Sequence, residues 1–456
     1  MLTSGRRMNM KKILIANRGE IALRIIKTCK EMDIQTVAVY SEADKDLPFV
    51  KAADEAVHIG EPPVAKSYLQ SEVILEVALK HKVDAIHPGY GLLSENDDFA
   101  KKIEKAGIAF IGPAPQTIEW MGDKIMARKT MQQAGVPIVP GTIEPIEDVE
   151  EGVKLAEQIG YPVMLKASSG GGGIGMVKCD NSDDLRKHFV SSQQRAKNYF
   201  GSGRMFIEKC IENARHIEVQ IMGDTHGNIV HLFERDCSVQ RRNQKVVEES
   251  PSPFLTESLR SKITDSAVKA AEAVNYVNAG TVEFVVSENG DFYFLEMNTR
   301  LQVEHPVTES ITGLDLVRWQ IQVARGEKLP LTQEEIMSKG HAIEFRLYAE
   351  DPITFFPSPG KIEGLIWPKS ENVRIDSGYE SGNAVTPFYD PMIAKIIVSD
   401  SNREGCMKNA VEFFDALEIT GLKTNTPLFK MILKEEDFIK GDYTTSYLSK
   451  RKVSKP

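Results

Sequence analysis

The 456-residue chain is 41% hydrophobic and 27% charged, with a formal net charge of −9. That length accommodates two or three domains with sizeable cores, and the acidic balance lacks the basic footprint of a nucleic-acid binder. Five scattered cysteines (Cys29, Cys179, Cys210, Cys237 and Cys406) without CxxC spacing argue against a disulfide framework or zinc site and fit a reducing, cytoplasmic setting. No stretch reaches the roughly 20 apolar residues of a bilayer span.

Met1–Lys12 is basic, lacks a signal-peptide core and reads as a disordered extension. Lys12–Ala16 reads as a buried strand. Asn17-Arg18-Gly19-Glu20, a helix over IALRIIKTCKEM and the strand TVAVY follow, the βαβ start of a parallel sheet. The turn is not GxGxxG, which argues against a nicotinamide dehydrogenase. Asp84–His87 is a further strand. The Gly-rich Pro88–Asn96 after it serves equally as a site loop or a connecting turn. Ile108–Ile111 closes this region, and Lys124 opens a helix where its charge opposes the dipole.

An acidic helix near Glu147–Ile159 and the strand Tyr161–Ala167 begin a new unit. Ser168–Gly175 is a Gly-rich loop that returns through the strand MVKC. It is no Walker A; Lys166 at its base favours a phosphate cover over a plain hairpin tip. Met205–Lys209, Arg215–Met222 and Ile229–Glu234 read as strands. The stretch from Arg235 to Lys245 reads as a basic loop, suited to an anion or simply solvated.

Thr281–His305 carries the strongest signal. Asn289-Gly290 between apolar runs predicts a two-residue type I′ hairpin, which places Glu283 opposite Glu296. Two carboxylates roughly 5 Å apart repel by about 3 kcal/mol at an effective dielectric of about 20, a penalty that a divalent cation reverses. The polar alternation Glu296, Asn298, Arg300, Gln302, Glu304 then predicts one continuing strand face. The chemistry suggested is oxygen-ligated Mg²⁺ or Mn²⁺ on phosphate oxygens, with Arg300 on an anion and Glu304 as a base. Helices are expected at Ser258–Ala273, Thr312–Ala324, Arg403–Leu417 and Pro427–Lys434, and strands at His341–Tyr348, Lys361–Trp367 and Met392–Val398.

Taken together, IANRGEIALRI, HPGYGLLSEN, the Gly-rich loop, ERDCSVQRRNQKVVEE, EMNTRLQVEHPVTE and FFPSPGKI resemble the biotin carboxylases, a branch of the ATP-grasp enzymes. The likeness runs from about Lys11 to Leu448. It implies a mixed α/β and α+β fold in three parts. These are a Rossmann-like domain over 1–121, an ATP-grasp domain over 122–330 with a mobile lid at about 138–210, and a mixed α+β C-terminal domain over 340–450. It also implies a reaction in which ATP and bicarbonate form carboxyphosphate, and biotin is carboxylated at N1′.

By the same resemblance, Lys124, Lys166, Gly171, Gly172, Gly173, Met176, Glu208, Lys209, Ile211, His216, Gln240 and Asn243 surround ATP. Glu283, Glu296 and Asn298 hold the divalent ions. Lys245, Arg300, Gln302 and Val303 cradle bicarbonate, Glu304 is its general base, and Arg346 stabilises the biotin ureido enolate. Ser169, Ile174 and Asn243 depart from the commonest family pattern: Ile174 in place of the frequent Arg or Lys leaves lid contact with phosphate to backbone amides, and Asn243 in place of the frequent His implies altered ATP affinity. No AMKM or VMKM signature occurs in the sequence, so the resemblance implies biotin borne by a separate biotin carboxyl carrier protein. Separate carboxyltransferase subunits, a cytoplasmic homodimer and a role in the first half-reaction of acetyl-CoA (acyl-CoA) carboxylase, hence in fatty acid biosynthesis, are implied likewise. Neither nucleic acid nor membrane is expected as a partner. A catalytically silent ATP-binding scaffold is the alternative, against which the intact acidic and basic residues speak.

Overall fold

The computed structural model describes residues 8–168 and 176–451. Five parallel strands open the chain: β1 (Lys12–Ile15), β2 (Gln35–Ser41), β3 (Glu55–Gly60), β4 (Ala85–His87) and β5 (Ala109–Phe110), in the order β3-β2-β1-β4-β5. Ile13, Leu14 and Ile15 are fully buried, as expected of a central parallel strand covered on both faces. The order reverses between β1 and β4, where open α/β sheets place their sites. Asn17, just after β1, ties the two edges of that crevice together by donating from Nδ2 to the carbonyls of Pro88 and Tyr90 (2.7 and 2.8 Å).

Part of the expected leader is ordered. Met8 donates its N–H to the Arg325 carbonyl, and Met10 is buried, so the described end of that segment is tied down by packing rather than loose. Residues 1–7 lie outside the described part.

A small antiparallel sheet follows, β6 (Val163–Ala167), β7 (Val177–Cys179) and β8 (Met205–Lys209), in the order β7-β6-β8. Two helices, Val149–Ile159 and Ser182–Phe200, pack on it around Leu165, Leu185, Phe189 and Ile207. This core is separate from the others.

The largest sheet has eight antiparallel strands. They are β9 (Arg215–Gly223), β10 (Ile229–Arg241), β11 (Gln244–Ser250), β12 (Asn278–Val286), β13 (Phe292–Asn298), β14 (His341–Tyr348), β17 (Val373–Ser377) and β19 (Met392–Asp400). Their order is β13-β12-β9-β10-β11-β14-β19-β17. The C-terminal strands thus extend the sheet that carries the Glu283 hairpin. Short strands β15 (Gly360–Lys361), β16 (Gly364–Ile366), β18 (Ala384–Val385) and β20 (Glu418–Thr420) form two small pairs beside it. One apolar core joins Ile13, Ile25 and Ala85 of the first sheet to Phe345, Ile396 and Phe414. The fold is therefore mixed α/β and α+β.

Two local expectations are corrected. The basic stretch from Arg235 is strand up to Arg241, and only Arg242 and Asn243 turn, both at positive φ (50° and 63°). Asn is favoured in that conformation, which gives Asn243 a backbone reason for being there. The helix expected at Thr312–Ala324 starts later, at Leu316, and an unexpected helix, His305–Thr312, precedes it and ends at Gly313, which adopts a left-handed conformation.

Candidate active site

The hairpin does bring Glu283 opposite Glu296, by a different route from the one expected. The turn spans three residues, with the Ser287 N–H bonded to the Asp291 carbonyl and Gly290 alone at positive φ. A bulge between Glu283 and Phe284 then shifts the register by one and restores the pair. The row extends further. Arg235 of β10 stands opposite Glu218 of β9, Glu218 opposite Glu283, and Glu283 opposite Glu296. Three carboxylates on adjacent strands are a repulsive arrangement unless cations intervene.

Cations do intervene. Lys245 Nζ lies 2.5 Å from Glu218 Oε2, 2.9 Å from Glu283 Oε1 and 2.7 Å from Glu304 Oε1. Burial opposes its charge, yet Glu218, Glu283 and Glu304 hold the ammonium well above the ordinary lysine value. Arg235, fully buried, donates to Glu218 Oε1 (2.6 Å), Gln220 Oε1 (2.8 Å) and Thr308 Oγ1 (2.8 Å). Lys124 pairs with Glu296, and His216 Nε2 lies 3.0 Å from Glu283 Oε2.

Beyond Asn298 the chain leaves the sheet, so the alternating polar residues do not form the continuing strand the sequence suggests. They converge by other means. Asn298 Nδ2 and Gln302 Nε2 both donate to Glu283 Oε1 (2.8 and 3.0 Å). Arg300 donates from Nε to Glu95 Oε2 (2.7 Å) and from Nη2 to Asn298 Oδ1 (2.9 Å). Glu95 belongs to the Gly-rich HPGYGLLSEN stretch, which thus orients a site residue rather than merely connecting elements.

Glu304 sits just before the helix His305–Thr312 and is fully buried. Its Oε1 takes Lys245 and its Oε2 takes Arg346 Nη2 at 2.9 Å. Burial alone would raise its pKa, but Lys245, Arg346 and Arg235 hold it well below the ordinary carboxylate range. The result is an unbroken chain of alternating charge, Glu283–Lys245–Glu304–Arg346. Val303 contributes its carbonyl to the buried Lys395 (2.9 Å).

Around the small sheet, Lys166 and Arg128 each pair with one oxygen of the buried Glu208. Lys209 Nζ instead caps the carbonyls of Gly160 and Tyr161, both at 2.9 Å. Gln240 is buried and donates to the Cys237 carbonyl (2.9 Å). Ile211 and Met176 are half-buried, at the end of β8 and just before β7. Gly171, Gly172 and Gly173, with Ser169 and Ile174, lie outside the described residues.

The residues expected to hold a divalent ion fit one chemically. Glu283, Glu296 and Asn298 offer hard oxygen donors from adjacent strands, and both carboxylates already draw ammonium groups. His216, Glu218 and Glu283 bring ligand-type atoms within 4.8 Å of one another. Glu218, Glu95 and Arg128 are functional neighbours that the sequence reading missed. Glu218 was findable in principle, because it lies among the alternating residues of RHIEVQIM, on β9 next to the hairpin.

A five-stranded parallel sheet, a small three-stranded sheet with its own core and a carboxylate-lined antiparallel sheet define an ATP-grasp ligase. Comparison with known proteins agrees. Residues 9–118 match the biotin carboxylase N-terminal domain, 123–332 the carbamoyl-phosphate synthase L chain ATP-binding domain, and 344–450 the biotin carboxylase C-terminal domain. The chain is 58% identical over 439 residues to the biotin carboxylase of Halalkalibacterium halodurans, covering 96% of this chain and 97% of that one. It is 56% identical to biotin carboxylase 2 of Bacillus subtilis, covering 96% and 98%. The crystal structure of the Hydrogenobacter thermophilus 2-oxoglutarate carboxylase biotin carboxylase domain dimer, with MgADP, ADP and bicarbonate, superposes with a TM-score of 0.95 at 48% identity, covering 97% and 98%. A biotin carboxylase β-γ-ATP complex from Campylobacter jejuni gives 0.95 at 47%, covering 97% and 99%. The chain belongs to the biotin carboxylase family.

Proposed function

We propose that the chain carboxylates biotin at the expense of ATP and bicarbonate, the first half-reaction of an acetyl-CoA (acyl-CoA) carboxylase. The observation that carries this reading is the buried relay Glu283–Lys245–Glu304–Arg346. It provides an ionised base between two fixed cations, beside carboxylates suited to a phosphate-bound ion.

Glu304 takes the bicarbonate proton, and the freed oxygen attacks the γ-phosphorus of ATP as ADP leaves. Lys245, Arg300, Gln302 and Val303 cradle the bicarbonate and the carboxyphosphate made from it. Glu283, Glu296 and Asn298 hold Mg²⁺ or Mn²⁺, which supplies charge neutralisation on the phosphate oxygens. Carboxyphosphate yields CO₂ and phosphate, the released phosphate takes the N1′ proton of biotin, and N1′ attacks the CO₂. Arg346 is the fixed positive charge against which the ureido oxygen becomes enolate-like. Lys124, Lys166, His216, Gln240, Ile211, Met176 and the glycines Gly171–Gly173 line the ATP pocket. Glu208 acts there by orienting Lys166, and Lys209 through its backbone. A lid that shuts protects the water-labile intermediate.

We assign these roles to three parts: residues 1–121, 122–330 with the lid at about 138–210, and 340–450. The biotin arrives on a biotin carboxyl carrier protein, the acyl-CoA chemistry resides in carboxyltransferase subunits, and the enzyme works as a homodimer in the cytoplasm. Among the described residues no helix is long and apolar enough to cross a membrane. Radiolabelled bicarbonate tests the reaction. Label is expected on biotin only when ATP is present; label-free biotin in the complete mixture contradicts it.

A further inference from the structure

Behind Arg346 lies a pair of carboxyls that the steps above leave unused. Glu248 of β11 and Glu344 of β14 stand opposite each other in register, and both are fully buried. Glu248 Oε1 is 2.6 Å from Arg346 Nη2, the same nitrogen that meets Glu304 Oε2 at 2.9 Å. The contact with Glu248 is an ion pair without hydrogen-bond geometry. All four oxygens of Glu248 and Glu344 lack a hydrogen-bond partner among the described residues. Buried polar atoms are almost always hydrogen-bonded, and neighbouring buried carboxylates repel. Sheet packing alone gives no reason to keep both.

We infer that Glu248 is a positioning residue that anchors Arg346 while Glu304 takes up and releases its proton. The inference rests on the site reading above. When the bicarbonate O–H bond breaks and the proton bonds to Glu304, Arg346 loses one of its two counter-charges. An ionised Glu248 keeps the guanidinium where the ureido charge develops. When Glu304 later releases that proton to solvent, the two carboxylates share Arg346 again.

The charged and titratable groups facing this pair are Lys245, Glu304, Arg346, Tyr348 and Lys395. Burial pushes the Glu248 carboxyl up to about 7, with Arg346 opposing and Glu304 adding to the rise. Burial raises Glu344 as well, with Lys395 opposing and Glu248 adding. The sign follows. Below about 7 Glu248 is neutral and its hold on Arg346 weakens; above it the hold is complete. Biotin-dependent turnover should therefore climb with pH through neutrality.

The test is kcat and KM for free biotin against pH, on full-length Glu248→Gln and Glu344→Gln. Glu248→Gln should raise KM for biotin roughly tenfold, the scale of one lost charge-assisted contact, leave KM for ATP unchanged and lose the neutral limb. Glu248 raises Glu344 and not the reverse, so Glu344 is neutral where Glu248 ionises, and Glu344→Gln should leave the limb in place. A wild-type KM for biotin and an unmoved limb in Glu248→Gln overturn the inference. If that variant does not fold, a wild-type KM for biotin that stays constant through neutral pH overturns it. Bicarbonate-dependent ADP release by the wild type tests the site reading separately, so failure with that dependence intact falls on Glu248 alone.

Discussion

Glu304→Gln should lose bicarbonate-dependent ADP formation by roughly 10²- to 10⁴-fold, the range that one positioned base contributes. The substitution keeps volume and shape, so the helix that starts at His305 should form as before. What it removes is charge. Lys245 and Arg346 each direct a donor at this carboxylate, and an amide cannot accept from both while taking a proton from bicarbonate. ATP affinity should persist, since Lys166 is held by Glu208 and Gln240 by the Cys237 carbonyl. Calorimetric ATP titration alongside steady-state kinetics checks both halves. Near-normal turnover would remove Glu304 from the role of base.

Arg235→Met should cost stability on the order of 3–5 kcal/mol, the toll of breaking a buried ion pair by removing one partner. Arg235 and Glu218 are both fully buried and meet at 2.6 Å. The same guanidinium donates to Gln220 on β9 and to Thr308 on the helix that follows Glu304. Without it, Glu218 is left with Lys245, an ammonium already shared with Glu283 and Glu304. Lysine at this position restores a charge but not the planar fork, so Arg235→Lys should recover only part of the loss. Thermal unfolding of the three proteins in parallel gives the order wild type, Arg235→Lys, Arg235→Met. Equal midpoints would show that Glu218 does not depend on this arginine.

Several parts of this molecule could be read from its residues, for stated reasons. The parallel opening sheet announces itself because strands buried on both faces need continuous apolar runs, as in KILIA and TVAVY. Glu283 and Glu296 were paired correctly although the turn was not, because a longer loop and a bulge changed the register by one in opposite directions. Local turn chemistry does not reveal a bulge further down the strand. The face from Arg300 to Glu304 was legible as a set of residues but not as a strand. Its groups meet because Glu95 and Lys245 pull them together from two distant segments, with Asn298 as a local tie.

What stayed hidden was pairing between elements far apart in sequence. Glu218 looks like any polar position of an alternating strand until β12 is laid against β9. Arg235 resembled a loop cation and is buried because its partners come from β9 and a later helix. Glu248 and Glu344 lie in segments nearly a hundred residues apart, and only the β11–β14 register brings them face to face.

The central claim is that this sheet converts ATP and bicarbonate into carboxylated biotin. The measurement that tests it most directly is ADP release by the wild-type chain with ATP and Mg²⁺, with and without bicarbonate, and with and without biotin. Turnover that requires both is the predicted result. ATP hydrolysis indifferent to bicarbonate and biotin would contradict it and point to another acceptor. Bound ATP with no hydrolysis, even with a biotinylated carrier protein supplied, would contradict it in favour of a silent scaffold.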